Sequence, residues 1–230
     1  VGIVKQNIHS LWNNDNKTLI FHDNGGLTLD PFYYKEYKNF LTLEECNTLA
    51  RIIIEEEERI LNIPNDSQKP YEGLTKQHTV YNWFNHPKVS FLNIPQRLAE
   101  LPEFNTWKCY LFQCWTNILR QGENLNKHAH TYQPPNHLYA CNIFIQGDTR
   151  TGTHYYAAGG YTPNEVGTLT IVGQEHEHEV KTNIYQTPRI SMAVDVMTKP
   201  YFMQRNERFT ERYVCYKNDA VLEKPLCMQL

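Results

Sequence analysis

Apolar positions recur at helical spacing only in the first half of the chain. In residues 37–61, YKNFLTLEECNTLARIIIEEEERIL, the side chains of Leu43, Cys46, Leu49, Ile53 and Ile60 return to one face, which predicts a helix. Thr42 and Glu45 form a capping-box pattern at its start, supplying partners for the free N–H groups of the first turn. Glu55 to Glu58 are expected at its solvated end. Ahead of it, residues 18–30 place two short apolar runs around Asn24, Gly25 and Gly26, a hairpin signal. Residues 62–93 are rich in Asn, Pro, Asp and Tyr and predict a long loop with a short strand around Thr79–Phe84. Pro95, followed by QRLAEL, suits the first turn of another helix.

From residue 107 the texture changes. WKCYLFQCWTNIL, LYACNIFI, THYY, GTLTIV, HEV and RISMAVDV are short β-rich runs broken by Gly, Pro and Asn. Such spacing predicts an all-β sandwich or jelly roll. We expect one domain over 1–230: a helical and loop part at 1–106, a β core at 107–198, and a tail at 199–230 with a late strand around Arg212–Tyr216. The helices would buttress the sheet. No internal repeat and no low-complexity tract interrupts this order.

Composition narrows the picture. Aromatics make up 13% of the 230 residues, with 15 Tyr and 10 Phe, which favours strands over a helical bundle. No apolar run approaches the roughly 20 residues of a membrane span. No charged-then-apolar leader opens the sequence. The formal net charge of -3 gives no whole-protein field for nucleic acid, and no basic stretch is interleaved with aromatics. The 6 Cys form no CxxC pair and read as reduced, mostly buried thiols of a cytoplasmic protein.

The 10 His carry the candidate chemistry. His128 and His130 are separated by one residue, and in an extended strand such a pair shares a face and can reach one metal ion. Imidazole suits Fe, Zn, Cu and Ni alike. Read alone, the pair reads first as two surface histidines beside a proline turn. A second cluster, His176 and His178, follows the strand GTLTIV. Arg189 and Ser191 then share a face of a later strand. A guanidinium and a hydroxyl turned inward make a carboxylate site, because Arg grips carboxylates bidentately.

In this order and spacing, several pieces resemble the Fe(II)/2-oxoglutarate-dependent oxygenases with the double-stranded β-helix fold. The pieces are Trp115-Thr116-Asn117, Gly122 with His128-Ala129-His130, Gly167 with TLTI, His178-Glu179-Val180 and Arg189-Ile190-Ser191. The likeness is strongest to the oxygenases common in phages and marine bacteria. YKNFLTLEECNTLA is similar to the element that opens prolyl-4-hydroxylase-like members. The resemblance covers roughly 40–196. It implies a double-stranded β-helix (jelly roll, cupin-like) core. It implies Fe(II), 2-oxoglutarate as cosubstrate and O2. It implies His128 and His178 as metal ligands, and Arg189 with Ser191 on the distal carboxylate of 2-oxoglutarate. A further hydrogen bond is expected from Asn117 or from a tyrosine on a neighbouring strand such as Tyr139. The implied substrate is a peptide, a free amino acid or another small molecule, and the implied reaction is hydroxylation.

One position departs from the family pattern. His130 stands where a carboxylate is usual, so His130 is either a third ligand or a donor behind the ligands. His176 competes with His178 for the distal position, and the resemblance favours His178. Three other readings stay open: a three-His cupin dioxygenase that needs no 2-oxoglutarate, a Zn hydrolase, and a non-catalytic metal- or ligand-binding jelly roll. Residues 147–166 are expected to border the mouth, with Gly159 and Gly160 as a lid hinge or a plain turn. Tyr155, Tyr156 and Tyr161 are expected in packing or in a groove.

Overall fold

A computed structural model of the chain describes residues 11–13, 17–21, 27–28, 33–65, 73–104, 109–130, 137–156, 160–198 and 214–217. The hairpin expected near residue 24 is present as paired strands β2 (Lys17–Phe21) and β3 (Leu27–Thr28), with β1 (Leu11–Asn13) added on the other side of β2. The turn residues themselves lie outside the described set. Strand β4 (Tyr34–Tyr37) follows.

Helix α1 (Leu43–Leu61) begins where the capping box sets it. Thr42 Oγ1 accepts from the Glu45 N–H at 3.2 Å, and the Glu45 carboxylate accepts from the Thr42 N–H at 2.7 Å. Cys46, Leu49, Ile52, Ile53 and Ile60 are buried. Each such aliphatic side chain contributes about 1.5–3 kcal/mol by leaving water. The acidic end is more than a solvated run, because Glu57 takes both Nη atoms of Arg120 and Glu56 accepts from Arg59.

The strand expected at Thr79–Phe84 is absent. Two 3-10 helices, Gly73–Thr79 and Trp83–Asn85, stand there instead. Asn82 explains the difference: its Oδ1 caps the second helix at the Phe84 N–H and also accepts from the Cys114 N–H, while its Nδ2 donates to Phe112 O. The segment is thus tied down through a side chain and has no ladder to join. Helices α2 (Pro87–Ser90) and α3 (Ile94–Ala99) follow, each with Pro in its first turn.

The β core contains β5 (Cys109–Leu119), β6 (Leu125–His128), β7 (His137–Gln146), β8 (Thr153–Tyr155), β9 (Gly160–Thr162), β10 (Leu169–Gly173), β11 (His178–Val180), β12 (Arg189–Thr198) and β13 (Val214–Lys217). Two antiparallel sheets result, of order β13-β5-β12-β7-β10-β4 and β6-β11-β8-β9. The eight strands from β5 to β12 divide evenly between the sheets, and successive strands alternate between them except for the β8–β9 hairpin, which stays in the smaller sheet, as in a jelly roll. The larger sheet extends past 107–198 at both edges, through β4 and β13. The late strand expected near Arg212–Tyr216 corresponds to β13.

Strand parity separates two environments. On β12, Ile190, Met192, Val194 and Val196 face the helices and join one apolar core with α1, α3 and Phe104. Arg189, Ser191, Ala193 and Asp195 face the space between the sheets. Gly167 lets the helical layer come close: its carbonyl accepts from the Leu41 N–H at 3.1 Å, its φ is +83°, and a Cβ there would meet Leu41 O at 2.3 Å. Gly160 opens β9 inside the smaller sheet, where residues 153–155 and 160–162 pair as antiparallel strands. Gly159 lies outside the described residues. Among the described cysteines, Cys46, Cys114 and Cys141 are free and buried.

Candidate metal centre and its cavity

The pairing of β6 with β11 sets His128 directly opposite His178, because each is the terminal residue of its strand and the two are register partners. Their ring centroids lie 4.3 Å apart. His130 follows just beyond β6, where its N–H donates to Gln174 O at 3.1 Å and holds it beside the pair. Its ring stacks on His128 at 5.5 Å and lies 5.1 Å from His178. One ring nitrogen from each of His128, His130 and His178 falls within 4.8 Å of the others.

The outward hydrogen bonds fix which nitrogen that is. His128 Nδ1 is 2.7 Å from Asn126 O, His178 Nδ1 is 2.8 Å from His176 O, and His130 Nδ1 is 2.6 Å from Asp195 Oδ1. A carbonyl or carboxylate oxygen only accepts, so each Nδ1 carries a hydrogen and each Nε2 is the nitrogen left to face the other rings. Burial, then the charge of His130 nearby, lowers the His128 pKa below the ordinary histidine value. Burial also pushes His178 well below that value, reinforced by His130 and His128. Three imidazoles whose Nε2 atoms converge fit a divalent transition-metal ion.

His176 does not join them. It sits after a turn in which its N–H donates to Gly173 O, and strand β11 starts only at His178. Its ring packs on Tyr155 at 6.3 Å, while its carbonyl orients His178.

The same cavity, about 280 Å³, reaches Arg189 and Ser191. Arg189 is 1% exposed. Its Nε donates to Thr151 O at 2.7 Å, Nη1 to Ser191 Oγ at 2.9 Å and Nη2 to Thr153 Oγ1 at 3.1 Å, and the guanidinium lies 5.4 Å from the Phe144 ring. None of these partners is an acid. Burial pulls its pKa down to about 10, opposed only by Tyr155 and Tyr161. A buried cation held by neutral oxygens is costly until an anion answers it.

Asn117 lines the cavity and accepts from the Thr75 hydroxyl. Tyr139 is a correction. It lies on the opposite face of β7, edge-on to Phe104 at 5.2 Å and Tyr33 at 5.4 Å, inside the helical core. Strand parity gives the reason: Ala140 and Asn142 are the β7 residues turned inward. Among the described residues the tyrosine that does reach the cavity is Tyr155 on β8, whose hydroxyl lies 3.0 Å from Thr170 Oγ1 and whose ring lies 5.5 Å from His178. Tyr156 and Tyr161 are exposed. Sequence reasoning also missed Asp195, Thr153 and Asn142. The amide nitrogen of Asn142 is buried and has no hydrogen-bond partner among the described residues. Parity along RISMAVDV would have located Asp195. Nothing local in the sequence marks Asn142.

No protein-family model matches the sequence, and no curated protein matches it. Among solved structures the chain is similar to the non-haem alpha-ketoglutarate-dependent epimerase SnoN from nogalamycin biosynthesis, at 13% identity and TM-score 0.51, over 71% of this chain and 77% of that one. It is also similar to a Pseudomonas putida prolyl-4-hydroxylase, at 12% identity and TM-score 0.47, over 72% of this chain and 88% of that one. A third similarity is to the viral collagen prolyl hydroxylase of Paramecium bursaria Chlorella virus-1, at 14% identity and TM-score 0.42, over 72% and 96%. The strand order and the SnoN likeness together identify the fold as a double-stranded β-helix with a helical layer on its larger sheet.

Proposed function

We propose that this chain is an Fe(II)- and 2-oxoglutarate-dependent dioxygenase. The observation that carries the reading is the pairing of opposites in one cavity: three histidines with their Nε2 atoms turned inward, and a buried arginine whose hydrogen-bond partners among the described residues include no acid. A dianionic 2-oxo acid answers both, since one end carries a carboxylate for Arg189 and the other carries donors for a metal.

In this reading His128, His130 and His178 hold Fe(II) through Nε2. Bound there, the iron supplies oxygen activation coupled to decarboxylation of 2-oxoglutarate, the chemistry that a side chain cannot provide. The protein binds and orients. Arg189 and Ser191 fix the distal carboxylate, with Thr153 and Thr151 holding the guanidinium in plane. Asn142 donates its amide N–H to the cosubstrate between the two ends. Val172, Val180 and Leu125 keep water from the cavity wall. The overall reaction turns a substrate C–H into C–OH and consumes O2 and 2-oxoglutarate, with release of succinate and CO2. The likeness of residues 37–50 to prolyl-hydroxylase-type oxygenases makes a peptidyl or free amino acid the first substrate class to test, ahead of other small molecules. No helix among the described residues is long and apolar enough to cross a membrane.

A second reading has one observation in its favour. The metal cluster contains no carboxylate, which suits a three-His cupin dioxygenase that uses no 2-oxoglutarate and keeps Arg189 as a substrate anchor. Anaerobic titration of 2-oxoglutarate into the Fe(II)-loaded protein separates them. The visible metal-to-ligand charge-transfer band should appear in the wild type, weaken in Arg189→Ala and vanish in His178→Ala. Bound iron with no band at saturating 2-oxoglutarate would leave the cupin reading in its place.

A further inference from the structure

We propose that Asp195 is a positioning residue for the metal: it supplies, from behind His130, the carboxylate that the ligand cluster itself lacks. The inference rests on the metal-site reading above and adds a residue to it.

Asp195 is the fourth inward-facing residue of β12, after Arg189, Ser191 and Ala193. It is 1% exposed, and its Oδ1 lies 2.6 Å from His130 Nδ1, whose residue is 8% exposed. It is not one of the residues whose ligand atoms converge within 4.8 Å, so it stands behind the imidazole and does not compete for the ion. His128 and His178 lean on backbone carbonyls, and only His130 leans on a charged group. Trp115 packs on the His130 ring at 5.4 Å, so the ring is clamped on its face as well as at its edge.

Two consequences follow from elementary chemistry. An acceptor at Nδ1 keeps the proton there and the lone pair on Nε2, and a carboxylate at that position makes the imidazole a more basic ligand. Three neutral imidazoles leave a divalent ion at its full charge, whereas Asp195 lowers the charge of the whole assembly by one. That is the charge a two-His-one-carboxylate centre reaches with a direct ligand. His130 and Asp195 together therefore replace one carboxylate, with the ring as spacer.

Co(II) is the probe, because its visible d–d bands report ligand field without turnover. The test compares Co(II) affinity and band shape in wild type, Asp195→Asn, His130→Ala and the double variant. Asparagine keeps a neutral acceptor and removes the charge. Asp195→Asn should lose about 10–100-fold in affinity, the usual size for a residue that supports a ligand, with shifted bands and an unchanged near-ultraviolet circular dichroism spectrum. In the His130→Ala background the same change should have no effect, because the ring that transmits it is gone. Wild-type affinity and bands in Asp195→Asn would overturn the proposal, as would a loss that persists undiminished without His130. A lowered melting temperature with unaltered cobalt binding would make Asp195 a folding residue and also overturn it. Absence of Co(II) binding in wild type would remove the metal-site reading and this inference with it. A measurement on wild type alone guards against a variant that does not fold: in the Zn(II)-loaded protein the His130 Nδ1 proton should appear as a slowly exchanging downfield resonance, and its absence would count against the proposal.

Discussion

The two ends of the cavity answer the same problem with opposite charge. At one end His128 and His178 are kept neutral by burial and present lone pairs to a cation. At the other, Arg189 keeps its proton despite complete burial, held by a carbonyl and two hydroxyls, and presents N–H groups to an anion. The metal end is assembled from two strand termini of the smaller sheet and the residue just beyond β6, braced by Asp195. The arginine end hangs on the first residues of one long central strand. The difference teaches that each end can be disabled while the other stays intact, so its contribution can be measured separately.

The largest effect should come from removing a ligand. His178→Ala or His128→Ala should weaken Fe(II) binding at least 100-fold in an anaerobic titration, because the remaining rings no longer close the site. Arg189→Ala should break the other end alone. Truncating one partner of a buried charge pair costs about 2–5 kcal/mol, so 2-oxoglutarate affinity should fall at least 30-fold by isothermal titration while Fe(II) affinity stays within a factor of two of wild type.

Acid sharpens the contrast next. Both His128 and His178 have folded pKa values below the unfolded value, so between the two values the unfolded chain binds more protons. The metal-free protein should be insensitive on this account above about pH 6.5. Its stability should then fall as pH drops toward the lowered folded values, by up to about 1.4 kcal/mol per pH unit for each titrating ring. Urea unfolding at a series of pH values checks the slope, and the double variant lacking both rings should flatten it. The smallest effect belongs between the ends. Asn142→Ala should weaken 2-oxoglutarate about 5-fold, the scale of one hydrogen bond, and leave metal affinity unchanged. A larger loss of metal binding than of cosubstrate binding would refute that placement.

Much of this arrangement was legible in the chain. The period of Leu43 to Ile60 and the Thr42–Glu45 box located α1, and the short β runs from 107 to 198 gave the sheet-rich core. The HxH pair, His178 and the Arg189–Ser191 face line one cavity. What stayed hidden depended on tertiary contacts. Thr79 to Phe84 has the composition of a strand, yet Asn82 ties it into a 3-10 turn against β5. Tyr139 reads as well as any tyrosine for the cavity, but the facing of β7 depends on where its pairing with β12 is bulged, at Ile190/Ser191 and Val196/Met197. His176 and His178 share a parity that only the start of β11 resolves. Asp195 lies 65 residues from His130, and no local pattern joins them.

Placing the anion grip and the metal's brace on alternate residues of β12 has an evolutionary consequence. Side chains on a strand repeat every second residue, so a one-residue insertion or deletion inside it exchanges the two faces beyond the lesion. Whichever of Arg189, Ser191, Ala193 and Asp195 lie beyond the lesion would trade places with their neighbours among Ile190, Met192, Val194 and Val196, so the grip and the brace would no longer share a face and the packing of the helical layer would be broken with them. Descendants of this chain can retune the site one substitution at a time, but length changes are confined to the connections between strands, where the frame of alternation is free to reset.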